Sequence, residues 1–329
     1  MRPPLPPRAA LLSSTALSAT YPTTLKLLYA ADGAVLAPVS ITALRFVLMA
    51  GSAQAILRTS NGGDDDSAQD PGLWIAATEL GLWAAAGAQL NTAALEQIDV
   101  VRGTILLAAV NILTPALSAV IGSDEQRRVL TPRTWTACAV ALCSTIFALL
   151  DHAAPVDAAS ASLQLSLGDD LVLGAACCFA TQQVRLGTLV AKYPAQQLAA
   201  ARLQTQALWA GLGVLLFRPG DGSPVTLQSA ALWASQLSTA QCGLLIFSAC
   251  TAVVGLLLQY EGQRTVAAAS AQPIYAASPI IAACWAFVVL REPITAGEAV
   301  GGLGIGCAAL IAATSDEKQK GVIDANSER

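Results

Sequence analysis

The sequence predicts an all-α integral membrane protein with ten transmembrane helices, arranged as two inverted five-helix repeats. Three observations support this prediction. The chain of 329 residues is 54% hydrophobic and only 12% charged, whereas soluble domains carry about 25% charged residues. Ten apolar segments are long enough to cross a bilayer, because about 20 helical residues span its hydrocarbon core. The chain also aligns with itself at a fixed offset.

The predicted spans are separated by breaks that are polar or rich in turn-forming residues. The spans lie near 9–30, 35–57, 72–91, 101–122, 134–151, 168–190, 197–217, 240–260, 265–290 and 294–314. The break at 58–72 is polar and glycine-rich, and that at 151–170 is polar and acidic. The break at 218–229 holds two prolines, and "EGQR" at 261–264 suits a tight helical hairpin. The basic N-terminus is compatible with a signal or transit peptide, but 9–30 is needed as the first span, so we expect it to be retained.

The distribution of lysine and arginine predicts the orientation. With ten spans, both termini and the even-numbered loops share one side, which holds eleven of these residues, against three on the other side. Cytoplasmic loops carry the excess of positive charge. We therefore expect an integral, multi-pass protein with both termini cytoplasmic, or stromal in a plastid; the plasma membrane and a plastid membrane both stay open.

The internal repeat is clearest at an offset of 164 residues. There Thr114-Pro115 meets Ser278-Pro279, Arg127 meets Arg291, and Thr131 meets Thr295. An offset of 157 places "ITALRFVLMA" (41–50) against "LAAARLQTQA" (198–207), so that Arg45 meets Arg202. Because five is odd, equivalent helices of the two halves point in opposite directions, as in many secondary transporters. The predicted units are 9–151, 168–314 and a solvated tail, 315–329.

Two stretches resemble a known family. "ITALRFVLMA" is similar to the second helix of EamA-type transporters, in the drug/metabolite transporter superfamily, and residues 270–311, with "LREPIT", are similar to the ninth and tenth helices. The first-half counterpart, "RRVLT", lacks the aligned glutamate. The resemblance spans roughly residues 10–314. It implies ten membrane helices and transport of a small organic solute.

Charged side chains within spans are costly and mark candidate functional sites. Arg45 and Arg202 are candidates for binding an anionic or carbonyl-bearing solute, or for snorkelling toward the membrane surface. Lys26 follows Pro22, which can break its helix, and Arg185 shares a helix face with Gln182. For these side chains, lining of a cavity and hydrogen bonding between helices both stay open.

Uncharged polar residues complete the candidate solute site. They are Gln89, Asn111, Gln259 and Tyr275, of which Asn111 and Tyr275 coincide in the repeat, one turn before Pro115 and Pro279. Adhesion between helices is the alternative role for such residues. Glu79 is a candidate proton relay; the alternative is an ion pair with an arginine of a neighbouring helix.

Several classes of function lack support in the sequence. No serine-hydrolase, phosphate-loop or zinc-protease motif occurs, so we expect no enzyme, and we expect no cofactor. The single histidine, His152, and eight cysteines without a C-x-x-C pair argue against a metal site. The small net charge argues against a nucleic-acid partner. The expected partners are the lipid bilayer and a small-molecule solute. Gly302 and Gly306 suit helix packing within one chain or in a homodimer.

The leading prediction is a carrier of a small organic solute that works by alternating access around a site at the membrane midplane. One alternative is an organic-phosphate or nucleotide-sugar antiporter. Such relatives typically have a Lys-Arg pair in the helix-nine region, where this chain offers only Arg264. A second alternative is a non-transporting membrane scaffold.

Overall fold

The fold is described from a computed structural model of the chain, and every regular element in the described residues is helical. The described residues are 5–32, 38–60, 70–124, 127, 131–153, 166–216, 235–266, 271, 274–275, 277–292, 294, 296–297, 299–304, 306–308 and 311. The predicted tail, 315–329, lies outside them.

Helical residues occur in each of the ten predicted segments. In chain order, the helices are α1 (Pro7–Ser18), α2 (Tyr21–Ala30), α3 (Pro38–Ser60), α4 (Pro71–Gln97), α5 (Val100–Leu107), α6 (Val110–Ile121), α7 (Pro132–Ala153), α8 (Leu167–Leu189), α9 (Ala195–Leu216), α10 (Thr239–Gln263) and α11 (Ser278–Trp285). A π-helical turn, Ala286–Leu290, continues α11. Further helical residues follow at 299–304 and 306–308.

Two of the predicted spans are broken in the middle. The first consists of α1 and α2, which meet at Ala19 and Thr20, just before Tyr21 and Pro22. Pro22 has no N–H to continue the helical hydrogen bonding. The fourth consists of α5 and α6, which meet at Ala108 and Ala109.

Three of the long helices, α4, α8 and α10, begin at side-chain caps. The side chain of Asp70 accepts a hydrogen bond from the N–H of Gly72 at the start of α4. Ser166 and Asp169 form a capping box at α8, and Ser238 and Gln241 form another at α10. Each cap satisfies N–H groups that the first helical turn leaves without partners.

The largest buried apolar cluster is shared by α3, α4, α8, α9 and α10, and alanine and leucine dominate it. Small residues allow helices to approach closely. A Cβ on Gly81 of α4, for example, would lie 2.9 Å from the backbone nitrogen of Gln206 in α9. These five helices therefore form a tight central bundle.

The contacts also give helix directions. Along α4 and α8, Glu79 pairs with Arg185 and Ile98 lies against Gly168, so these helices are antiparallel. The helices α1 and α10 are antiparallel as well, because Leu17 lies against Gly255 and Leu11 against Gly262. By contrast, α4 and α9 run parallel: Thr205 donates to the carbonyl of Ala77, and Gln89 donates to that of Ala210.

Candidate functional site

Arg45 lies in α3 and faces the interior of the bundle. The residue is only 8% exposed. Its Nε donates to the hydroxyl of Ser248 in α10 at 2.6 Å, and its guanidinium carbon lies 4.0 Å from the centroid of the Tyr21 ring. Arg45 thus connects helices of the two predicted repeats through a hydroxyl and an aromatic face.

The charge of Arg45 is not neutralised within the described part of the chain. No described carboxylate pairs with it, and Nε provides its one hydrogen bond to those residues. A guanidinium has five N–H donors, so four remain for another acceptor. A cation–π contact contributes about 2 kcal/mol when desolvated, and a hydrogen bond to a charged group about 1.5–3 kcal/mol. Because burial of one ion costs several kcal/mol, Arg45 adds little net stability.

A hydroxyl network holds the Tyr21 ring in place. Thr92 of α4 donates to the carbonyl of Ala88 at 2.7 Å, and its hydroxyl accepts from Thr42 at 3.1 Å. The Tyr21 hydroxyl lies 2.8 Å from the same oxygen and is therefore the donor in that pair. Tyr29 donates to the backbone carbonyl of Thr92 at 3.2 Å. These bonds orient the ring on which the Arg45 guanidinium rests.

Arg202 contacts α10 at a different level along the helix from Arg45. It is 7% exposed, its Nη1 lies 3.5 Å from the Tyr260 hydroxyl, and its buried Nε has no partner among the described residues. Ser248 is near the middle of α10, whereas Tyr260 is three residues from its C-terminal end. Twelve residues of α-helix span about 18 Å. Arg45 is therefore the arginine at mid-depth, and one small solute group cannot contact both.

The structure pairs Glu79 with Arg185. The Arg185 Nε and Nη2 groups donate to the two carboxylate oxygens of Glu79, the second bond at 2.9 Å. About one third of each side chain is exposed. This is the ion pair between neighbouring helices that the sequence left open for Glu79; proton relay by this residue stays a prediction.

Carboxamides form a second polar group near the C-terminal end of α10. The Gln183 side-chain oxygen accepts from Nε2 of Gln263 at 2.9 Å and from Nε2 of Gln259 at 3.3 Å. Gln263 also donates to the hydroxyl of Tyr275 at 3.0 Å. Tyr275 therefore lies beside the last residue of α10. The group joins α8, α10 and the ninth segment.

The remaining candidate side chains are dispersed. The side-chain nitrogen of Gln89 lies 3.5 Å from the Ala210 carbonyl, and Gly213 packs against this amide. Gln182 is buried, and its Nε2 has no partner in the described structure. Lys26 and Asn111 are half-buried, and neither side chain has a hydrogen bond to a described residue.

Three residues of the Arg45 and Arg202 environments were not singled out from the sequence: Tyr21, Ser248 and Tyr260. Tyr21 had a local signal, because it stands immediately before Pro22 at a helix break. Ser248 and Tyr260 had none, since serine and tyrosine are ordinary in apolar helices. Within the described residues, no three His, Cys, Asp or Glu side chains are placed to hold a metal ion.

Comparison with known protein families gives a match to the second half of the chain. Residues 166–314 match the EamA-like transporter family, so the resemblance predicted from the sequence is confirmed over that part. This family consists of multi-pass membrane transporters of small solutes and not of enzymes. No curated protein matches the chain. The match to one solved crystal structure covers 93% of this chain and 96% of the chain in that structure, with a TM-score of 0.64 and 16% sequence identity. This match supports the fold alone.

Proposed function

We propose that this chain, whose residues 166–314 match the EamA-like transporter family, carries a small organic solute across a membrane by alternating access. The two inverted five-helix repeats, 9–151 and 168–314, rock against each other around a site at Arg45. Arg202, Lys26 and the carboxamide group near Tyr275 line the path on either side of that site.

The pattern of neighbouring helices supports the inverted repeat. In a repeat of five spans each, span three corresponds to span eight, and span six corresponds to span one. If spans three and six are neighbours, spans eight and one should therefore be neighbours as well. These are the pairs α4–α8 and α1–α10, and both are antiparallel. The same correspondence relates the pair of spans three and seven to the pair eight and two. These pairs are α4–α9 and α10–α3, and the helices of each pair are in contact. The family match begins close to the start of the second repeat.

The distribution of apolar side chains supports membrane insertion. Large apolar residues point outward from several helices; Ile75, Leu208 and Leu303 are each at least 70% exposed. The interior contains alanine and leucine together with polar groups. Exposed apolar surface of this kind needs a lipid or protein cover. Two described helical stretches, Arg102–Ile121 and Thr239–Gln263, are long and apolar enough to cross a membrane by length and composition.

The single observation that supports the solute site best is the environment of Arg45. Secondary transporters bind solute near the midplane, between their repeats. Arg45 lies at mid-depth, between α3 of one repeat and α10 of the other, and four of its donors have no acceptor among the described residues. A permanent carboxylate partner would occupy those donors. The ring face of Tyr21 stabilises the charge without occupying them.

The test is a ligand screen followed by uptake. The purified chain would be melted with amino acids, nucleobases, sugar phosphates, organic acids and amphiphilic cations, because a ligand of the folded state raises the melting temperature. Hits would then be offered, radiolabelled, to proteoliposomes. We expect saturable uptake of a hit, absent from protein-free vesicles and lost with Arg45→Met. A panel without hits and without uptake would contradict the carrier function and favour the membrane scaffold.

A further inference from the structure

The spans carry more positive than negative charge. We count the charged residues of the described helices that lie more than three residues from either helix end. They comprise one carboxylate, Glu79, and four cations, Lys26, Arg45, Arg185 and Arg202. Glu79 neutralises Arg185. The other three cations have no carboxylate partner in the described structure. In a medium of low dielectric constant, such an interior attracts anions and repels cations.

Among the described residues, one guanidinium, that of Arg45, contacts the middle of α10. Arg202 contacts α10 about 18 Å along the helix from Ser248, so of these two arginines only Arg45 can face a solute head group beside Ser248. A single guanidinium balances one negative charge through two parallel N–H bonds to a carboxylate. A phosphate monoester carries about −1.5 to −2 charges at neutral pH, and Arg45 alone would leave part of that charge uncompensated.

The helix positions near Arg45 and Ser248 carry apolar residues. Ile41 is one turn before Arg45 in α3, and Leu245 is close to Ser248 in α10. Both belong to a buried apolar cluster with Leu25 of α2. The other polar groups of this neighbourhood, Tyr21, Thr42 and Thr92, already bond to one another. The described residues therefore provide one charged contact among apolar side chains.

From this combination we propose that the solute is an organic monocarboxylate with an apolar body, and that its carboxylate binds the Nη donors of Arg45, which have no acceptor among the described residues. The inference rests on the proposed carrier function and narrows it to one substrate class. Arg202, whose Nε has no partner in the described part of the chain, is a second binding position for the same carboxylate nearer one membrane surface.

The test compares head groups on one carbon skeleton. The probes are butanoate, butanamide, butylamine and monobutyl phosphate, with 3-phenylpropanoate and 3-phenylpropanamide as a larger pair. Each is titrated against the full-length protein in detergent while its melting temperature is recorded. We expect the two carboxylates to raise the melting temperature in proportion to the logarithm of concentration at saturation, with at least tenfold weaker binding of the amides, amine and phosphate.

Two variants decide whether Arg45 is responsible. Arg45→Met should abolish the carboxylate shift. Arg133→Met should keep it, because Arg133 is an exposed residue at the start of α7. Equal shifts with carboxylate and amide, a stronger shift with monobutyl phosphate, no shift with either carboxylate, or a shift that survives Arg45→Met would each overturn the proposal.

Uptake separates this proposal from the carrier function itself. If proteoliposomes take up labelled butanamide or butylamine saturably and Arg45→Met leaves that uptake unchanged, the protein is a carrier but the monocarboxylate proposal is wrong. If carboxylates bind at Arg45 but no probe is taken up, the carboxylate site stands and the carrier function fails.

Discussion

Replacement of Arg45 by methionine should leave stability almost unchanged although it removes a buried charge with its hydrogen bond and cation–π contact. The guanidinium gains about 2 kcal/mol from the face of Tyr21 and about 1.5–3 kcal/mol from the hydrogen bond to Ser248. Against this stands a burial penalty of several kcal/mol for the charge. Because the terms nearly cancel, we expect Arg45→Met to change the free energy of unfolding by no more than about 1 kcal/mol.

Tyr21→Leu is the matched comparison, because it keeps the buried charge and removes the ring that stabilises it. The variant also loses the hydrogen bond to Thr92. We expect it to lower the free energy of unfolding by at least about 2 kcal/mol. Unfolding of the three proteins in one detergent, without added solute, measures both changes. A loss of about 3 kcal/mol or more with Arg45→Met, as large as that of Tyr21→Leu, would refute the reasoning and make Arg45 a structural contact.

Three further predictions concern the packing and ionic contacts between helices. Gly81→Ala should destabilise the protein by about 1–3 kcal/mol in an unfolding assay, since the added Cβ would lie 2.9 Å from the backbone of α9. The control is Gly211→Ala, at an open position, which should be neutral or stabilising by up to about 1 kcal/mol. Equal effects of the two variants would contradict the predicted close contact. Glu79→Gln and Arg185→Gln should each destabilise by about 1–2 kcal/mol, and the double variant by clearly less than their sum; additive losses would show that the two side chains do not interact. Asp169→Asn should lower the melting temperature because it weakens the capping box of α8 and the paired bonds from Arg102, at 2.7 and 2.8 Å; an unchanged melting temperature would mean that this end of α8 does not limit stability.

The sequence was sufficient to locate helices and to single out the arginines inside them. Apolar length alone located helical residues in all ten segments, because a span must satisfy its backbone hydrogen bonds internally. Their position inside those segments made Arg45 and Arg202 candidates but left burial and snorkelling open, and the structure shows that both are buried. A helix break at Pro22 was anticipated, and α1 and α2 meet just before it; the break between α5 and α6 was not predicted.

The contacts of the arginines could not be predicted from the sequence. Ser248 is 203 residues from Arg45, and Glu79 is 106 residues from Arg185. Which side chains meet depends on how each helix rotates about its axis, and alanine-rich helices carry little amphipathic pattern to indicate that rotation. The repeat aligned Arg45 with Arg202 but could not show that their partners lie at different depths of α10.

Trans-stimulated exchange tests the central claim most directly. Proteoliposomes that contain the wild-type chain, Arg45→Met or Arg133→Met would be preloaded with unlabelled butanoate or with buffer, and entry of labelled butanoate would be followed. An alternating-access carrier that binds the carboxylate at Arg45 predicts faster entry into preloaded vesicles with the wild-type chain and with Arg133→Met, and no entry above that of protein-free vesicles with Arg45→Met. Entry that preloading does not accelerate, or that Arg45→Met leaves unchanged, would contradict the account.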